Sequence, residues 1–449
     1  MSVLFFCHSR NICYICTKLK QRIKMKRQIL IISLLVALVG ITSFVSNKDE
    51  NILIPAGMGG KCGFIDRNGN WVIKPQFEEG YYFFEENGLA SVKYDGKWGF
   101  IDKSGKWVIS PQFESTDCFY KNELTSAKAN GKWGFIDKRG QWVINPQFDE
   151  VSRFAENGLA RICVDDKWGC IDTTGKIVIK PQFYLIGKFA DNGLANVIIN
   201  DKCGYIDKTG KIVIYAHFDL AYNFGKNGLA LVVVDDKYGW IDKTGKMVIN
   251  PQFDDAYGFA DNDLAAVKVN GKWGFIDKTG KMVIPPQFDF TNSFGKNGLA
   301  LVRLNDKCGY IDESGKMVIE PQFDFCVDEF SENGLSLVSA NLKCGFINQK
   351  GEWVVKPKFD YAALFGDDSL TEVKLKGKWG CIDRTGKLVI KPQYDAMYIY
   401  KDIIFAGQKK DDIKKWGIVD KKGNVVATPQ FDWVVDPSYV NSRFELLNY

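Results

Sequence analysis

Histidine is nearly absent: His8 and His217 are the only two in 449 residues. The chain therefore has little of the commonest general base and metal ligand. His217 stands where the other copies of its segment carry Gln, and no Ser/His/Asp or Cys/His set assembles around it. Beyond residue 46 there is no Cys-x-x-Cys and no Cys/His metal spacing, nor is there a Gly-rich phosphate loop. Paired carboxylates such as Asp165-Asp166 and Asp235-Asp236 fall in turn segments, where solvation is the ordinary role. Catalytic, cofactor-binding and metal sites are accordingly expected to be none, because function must rest on a site and not on a fold.

A basic excess is also missing from the body. The formal charge is +5, but residues 1–46 hold Arg10, Lys18, Lys20, Arg22, Lys24, Lys26 and Arg27 with no Asp or Glu. The remainder is slightly acidic, which excludes the electrostatic footprint of a nucleic-acid binder. After the basic cluster, Ile29 to Val45 carry no charge, the layout of a secretory signal. Met25-Lys26-Arg27 suits a start, so 1–24 reads as an upstream extension or a short cytoplasmic tail, and 25–46 as a signal peptide or N-terminal membrane anchor. Either way the body is expected outside the cytoplasmic membrane (periplasmic, at the cell surface or secreted), touching membrane only through that segment.

What the chain has in abundance is one phrase, Lys-Trp-Gly-Phe-Ile-Asp. Its glycines fall at Gly63, Gly99, Gly134, Gly169, Gly204, Gly239, Gly274, Gly309, Gly345, Gly380 and Gly417, 35 to 37 residues apart. Such a period marks stacked copies of one supersecondary unit. In the copy from Leu299, a strand-like run ends at Asn305-Asp306, where other copies have Asn-Gly or Asp-Gly hairpin turns. Lys307–Asp312 is a second strand, and Lys316–Ile319 a third, closed by Pro321. A return segment anchored by an aromatic leads to the next copy. The expectation is an all-β open array, a solenoid or superhelix, of about eleven three-stranded antiparallel meanders. Residues 60–432 are the repeats, 47–59 a linker and first-strand remnant, and 433–449 a C-terminal capping segment. Propeller-like closure is the alternative, disfavoured because eleven units exceed the usual four to eight blades.

Each recurring residue has a structural reading. The Asp of the phrase, followed three residues later by Gly, caps a turn. The Gly beside the Trp (Gly99, Gly134, Gly169, Gly204, Gly239, Gly274) lets a ring or a backbone lie against a strand without Cβ. Trp98, Trp133, Trp168, Trp273 and Trp379 form a ladder that offers stacking faces to a sugar or, more simply, fills the core between repeats. Cys62, Cys203, Cys308 and Cys344 replace that Trp, which fits buried apolar cysteine. If equivalent positions of adjacent copies cross-link, Cys308 and Cys344 are the best pair.

Lys272–Asp289, Lys-Trp-Gly-Phe-Ile-Asp-Lys-Thr-Gly-Lys-Met-Val-Ile-Pro-Pro-Gln-Phe-Asp, resembles the WG repeat of bacterial proteins. The resemblance covers about residues 60–432. It implies an exported or membrane-attached β-rich protein and brings no catalytic residues with it. The functional expectation is a non-catalytic binding scaffold of the cell envelope, engaging an envelope protein or a glycan. A purely structural envelope component, or a carbohydrate-binding surface built on the Trp and Phe positions, is the alternative.

Overall fold

The computed structural model describes residues 52–434, apart from 82, 84–87, 120–122, 328–329, 367–368, 402 and 411–412. The expected export segment and the residues after 434 lie outside it. No helix among the described residues is long and apolar enough to cross a membrane.

Every repeat folds as a four-stranded antiparallel sheet, so the three-stranded expectation is corrected. We number these blades 1 to 11 by the phrase glycine that each contains, from Gly63 to Gly417. Blade 3 is typical: Ser115–Thr116, Leu124–Ala129, Lys132–Asp137 and Trp142–Phe148. The strand that sequence reading misses is the first. It is two residues long in ten blades and five in blade 11, Ala396–Tyr400. Two residues cannot show the period-two alternation by which strands are recognised.

The blades close into a ring, an eleven-bladed β-propeller, which overturns the open array. Trp433–Val434, assigned from sequence to a cap, is the first strand of blade 1. It pairs with Ile54–Met58 through Ala56↔Val434 and Gly57↔Trp433. The closing contacts repeat the internal ones. Phe431 of blade 11 meets Trp71 of blade 1 edge-to-face at 5.4 Å, as Phe113 meets Trp142 at 5.5 Å and Phe323 meets Trp353 at 5.4 Å. In each blade the glycine of the turn between third and fourth strands lies over the preceding blade's fourth strand. Gly105 packs on Ile73 and Gly140 on Ile109, and at the seam Gly69 packs on Ala427 of blade 11. The copy number and the three strands legible in each repeat argued for an open form. The pairing that decides otherwise joins residues almost four hundred positions apart, and no local pattern reports it.

The core lies between blades. Ile101 of blade 2 is buried with Phe64, Ile73 and Phe77 of blade 1, and the same cluster type recurs around the ring. Aromatic residues of the return segments lock it: Phe119 lies 4.9 Å from Phe100, Phe294 4.7 Å from Phe275 and Phe365 4.9 Å from Phe346. At blade 2 the expected Phe84 falls outside the described residues, and Phe83 packs 5.0 Å from Phe64.

The phrase glycine is dictated by a bulge. Trp133 pairs with Phe148 and Phe135 with Ile144, so two residues of the third strand face four of the fourth. The extra length arches over Gly134, where a Cβ would stand 2.4 Å from the Ile144 carbonyl oxygen. The equivalent carbonyl oxygen of its own blade would be 2.6 Å away at Gly99, Gly204 and Gly239, and 2.4 Å at Gly169 and Gly274. The phrase Asp holds the next turn. Asp242 Oδ1 accepts from the amides of Thr244 (2.8 Å) and Lys246 (3.1 Å) and from the Thr244 hydroxyl (2.6 Å). That hydroxyl is the main reason its carboxyl titrates below the usual range.

Candidate binding face

The Asp that ends Pro-Gln-Phe-Asp rivets consecutive blades. Asp289 follows the fourth strand of blade 7. Its Oδ1 accepts from Lys272 of that blade at 2.5 Å, and its Oδ2 from the Asn305 amide in the first hairpin turn of blade 8 at 2.9 Å. Asp219 and Asp395 do the same. At the seam Asp432 binds Lys415 and accepts from Gly59 of blade 1 at 2.7 Å. The lysine hydrogen bond comes first in holding the carboxyls of Asp289, Asp395 and Asp432 low. After blade 4 the Asp is replaced by Tyr184, and Lys167 Nζ sits 3.2 Å from the centre of its ring.

Against this constant frame, the first strands vary. In blade 2, Glu79, Lys93, Trp98 and Phe113 stand directly opposite one another on the four strands and share one face. Two residues beyond Glu79, Tyr81 stacks on Trp98, with ring centres 5.2 Å apart and planes at 10°. Blade 7 repeats this with Tyr257 on Trp273, at 5.1 Å and 9°. Both tryptophans are closed off, Trp98 at 7% and Trp273 at 4% exposure.

In blades 3, 4 and 10 the stacking tyrosine is absent. Asp117, Ser152 and Ala363 occupy its position, and Trp133, Trp168 and Trp379 are half-buried. Trp379 has Tyr361 edge-on at 5.3 Å. These five tryptophans thus divide into two buried members under a stacked tyrosine, one flanked at its edge, and two half-buried members in consecutive blades on which no aromatic ring of the described residues stacks. Lys128 Nζ lies 5.8 Å from the Trp133 ring. Lys268 lies 5.9 Å from Trp273 while Tyr257 stacks there too, so a lysine in this place leaves the stacking face open.

Between blades 3 and 4 runs one further feature. Arg153, next to Ser152, donates from Nε to Asp117 Oδ2 at 2.5 Å and from Nη2 to Oδ1 at 2.8 Å. This two-pronged bond lies beside a small cavity lined by Cys118, Thr125, Ser126, Phe135 and Phe154. Arg161 of blade 4 donates from Nη1 to the Ile186 carbonyl of blade 5 at 2.9 Å, and burial pulls its pKa down.

The cysteines behave as apolar filler with one exception. Burial pushes the thiols of Cys62 and Cys170 up to about 12, and those of Cys163 and Cys381 to about 11. Such thiols are not nucleophiles at neutral pH. Cys308 is cross-linked, to Cys326 and not to Cys344. The neighbour of the Trp position across a blade interface is the second residue of the next blade's first strand, not the equivalent Trp position. Only blade 9 has cysteine there.

Sequence reading missed the first-strand residues, although a signal was present. Where Cys replaces Trp, the first residue of that blade's first strand is large and apolar: Leu185 with Cys203, Phe290 with Cys308, Phe325 with Cys344, Trp433 with Cys62. Phe290 and Trp433 pack against the clusters that hold those cysteines. The lost indole is replaced from another strand, which is volume conservation across a row.

No curated protein matches the sequence. Solved structures share a distant likeness. A eukaryotic initiation factor aligns at 11% identity and TM-score 0.38, over 68% of this chain and 95% of its own. Apo AztD from Citrobacter koseri aligns at 14% and 0.28, over 75% and 92%. Kluyveromyces lactis Hsv2p aligns at 9% and 0.29, over 53% and 93%. The WG containing repeat family matches eleven times, as 63–98, 98–133, 133–168, 168–203, 204–238, 238–273, 273–308, 309–343, 345–379, 379–405 and 416–439. With these matches running from one end of the ring to the other, the chain belongs to the WG repeat family.

Proposed function

We propose that this protein is an exported, non-catalytic binding scaffold of the cell envelope. The observation that carries the reading is the contrast between a frame repeated in every blade and first strands that differ from blade to blade. Glu79, Ser115, Leu220 and Asp255 hold one position with four different side chains. A ring built this way presents many related surfaces side by side, and several weak contacts to one extended partner add up through avidity. The uncharged Ile29–Val45 segment behind a basic cluster supports export. The Cys308–Cys326 bond supports it independently, since structural disulfides belong to oxidising compartments. The partner is an envelope protein or glycan.

The test is capture from envelope fractions of the source organism, with the full chain as bait and proteins and polysaccharides both identified. A partner recovered reproducibly, and lost when first-strand residues are exchanged between blades, is the expected result. A folded, monodisperse bait that retains nothing would contradict the reading and favour a purely structural role.

A further inference from the structure

The tyrosines that stack on Trp98 and Trp273 identify what the open tryptophans are shaped to take. In blades 2 and 7 a flat ring supplied by the chain lies parallel to the indole, with ring centres 5.2 and 5.1 Å apart. The backbone frame is the same in blades 3 and 4, where each strand pairs in the same register. There the position is held by Asp117 and Ser152, which carry no ring to stack on Trp133 or Trp168. From the geometry we infer that this pair of indoles is a saccharide-binding site, each stacking one pyranose ring of an oligosaccharide that runs from blade 3 to blade 4.

Three observations favour a sugar over an aromatic or purely apolar ligand. A pyranose offers an apolar C–H face to the negative face of an indole and hydroxyls around its edge. The groups beside the two indoles are polar. Asp117 and Arg153 hold each other in a rigid two-pronged bond, and Glu150 is exposed at the head of the blade 4 row. A carboxylate and guanidinium fixed in place give directed acceptors and donors to ring hydroxyls. The spacing also suits a chain: neighbouring packed sheets stand about 10 Å apart, so two consecutive platforms engage one ligand together.

Elsewhere the frame closes this site. Tyr81 and Tyr257 fill it, and in the Cys-bearing blades there is no indole to stack on. Blade 10 has Tyr361 at the edge of Trp379 and no open tryptophan in the blade before it. Blade 6 has Tyr238 in place of the indole, and blade 11 has Tyr398 at the stacking position and Lys414 Nζ 4.8 Å from the Trp416 ring. Among the described residues the site is therefore confined to blades 3 and 4, and the chain itself supplies the means to block it: tyrosine at 117 or 152.

This inference rests on the binding-scaffold reading and names its ligand class. The test uses the full chain with soluble tetrasaccharides of β-1,4-glucose, β-1,4-N-acetylglucosamine and α-1,4-glucose, followed by calorimetry and tryptophan emission. Saturable binding of one of them with a shift in emission is expected. Trp133→Ala and Trp168→Ala should each weaken it roughly tenfold, the change that about 1.4 kcal/mol produces. Asp117→Tyr and Ser152→Tyr should block it, with thermal unfolding confirming that each variant is folded. Trp98→Ala serves as the control and should leave affinity unchanged. Binding that persists in both tyrosine variants would overturn the inference, as would no binding of any of the three at millimolar concentration. If envelope capture still recovers a protein partner in that case, unaffected by Trp133→Ala and Trp168→Ala, the saccharide site falls and the scaffold reading stands.

Discussion

The seam between blades 11 and 1 and the joint between blades 7 and 8 are built from the same parts. At the internal joint the chain itself crosses, since only Asp289 separates the fourth strand of blade 7, ending at Phe288, from Phe290 in the next sheet. At the seam, the crossing into blade 1 is made by Trp433 and Val434, the last two strand residues among those described. The carboxylate rivet, the glycine over the neighbouring strand and the edge-to-face ring pair all recur there. Closure therefore needs no special interface. It needs the copy number to bring the last blade beside the first, and a first strand to donate.

One part is special to the seam. Gly57 of blade 1 lies under Trp433, where a Cβ would stand 2.1 Å from the indole nitrogen. Blade 1 has Cys62 in place of the phrase Trp, and Trp433 packs on the cluster around it. The indole that other blades take from their third strand arrives here from the far end of the sequence.

The comparison can be broken most severely by removing residues 432–449. The loss of strand pairing, rivet and indole together should turn one cooperative unfolding transition into several, as in a linear array. Calorimetry reads this directly, and a single unshifted transition would show that the seam contributes nothing. Next in size are Trp433→Ala and Gly57→Val, which remove or expel the seam indole. Each should cost about 3 kcal/mol in denaturant unfolding, near the low end for losing a packed Trp. The equivalent internal change, Trp98→Ala, should cost a similar amount without splitting the transition.

Cys326→Ser sharpens the comparison at the joint between blades 8 and 9. The disulfide spans 18 residues, so its loss should cost about 3 kcal/mol by the chain-entropy account. That difference should vanish in reducing buffer. Gly134→Ala, placed under the Ile144 carbonyl, should destabilise by roughly 1–3 kcal/mol, because the bulge must lift.

The smallest effect is electrostatic. Lys415 holds the Asp432 carboxyl below its usual range. An unfolded Asp titrates near about 3.9. A depressed folded value means the contribution is present above that pH and lost as pH falls through the folded value. Asp432→Asn should therefore lower stability at neutral pH by less than about 1 kcal/mol, as exposed ion pairs do. The variant and the parent should converge in acid.

Much of the fold was legible in the sequence, and the exceptions share a cause. The hairpins at Asn130-Gly131 and Asn270-Gly271, with both residues at positive φ, follow directly from residue type. So do the Asp242 turn and the need for glycine at Gly134. These are short-range demands on a backbone. The two-residue first strands are too short to carry a pattern, and closure depends on a pairing from Gly57 to Trp433 that nothing nearby foretells. The candidate face was half legible. The tryptophans stood out, but which of them lie under a stacked ring depends on the position held by Tyr81, Asp117 and Ser152, whose role appears only when the blades are compared in register.

The most direct test of ring closure is a distance between Asn68 in blade 1 and Lys422 in blade 11, both exposed on equivalent turns. Labels introduced there through non-natural residues can be read by pulsed electron resonance. Closure predicts a separation of one blade, about 10 Å before the length of the labels is added. An open stack of eleven sheets would place them about 100 Å apart, and a separation of that order would contradict the ring.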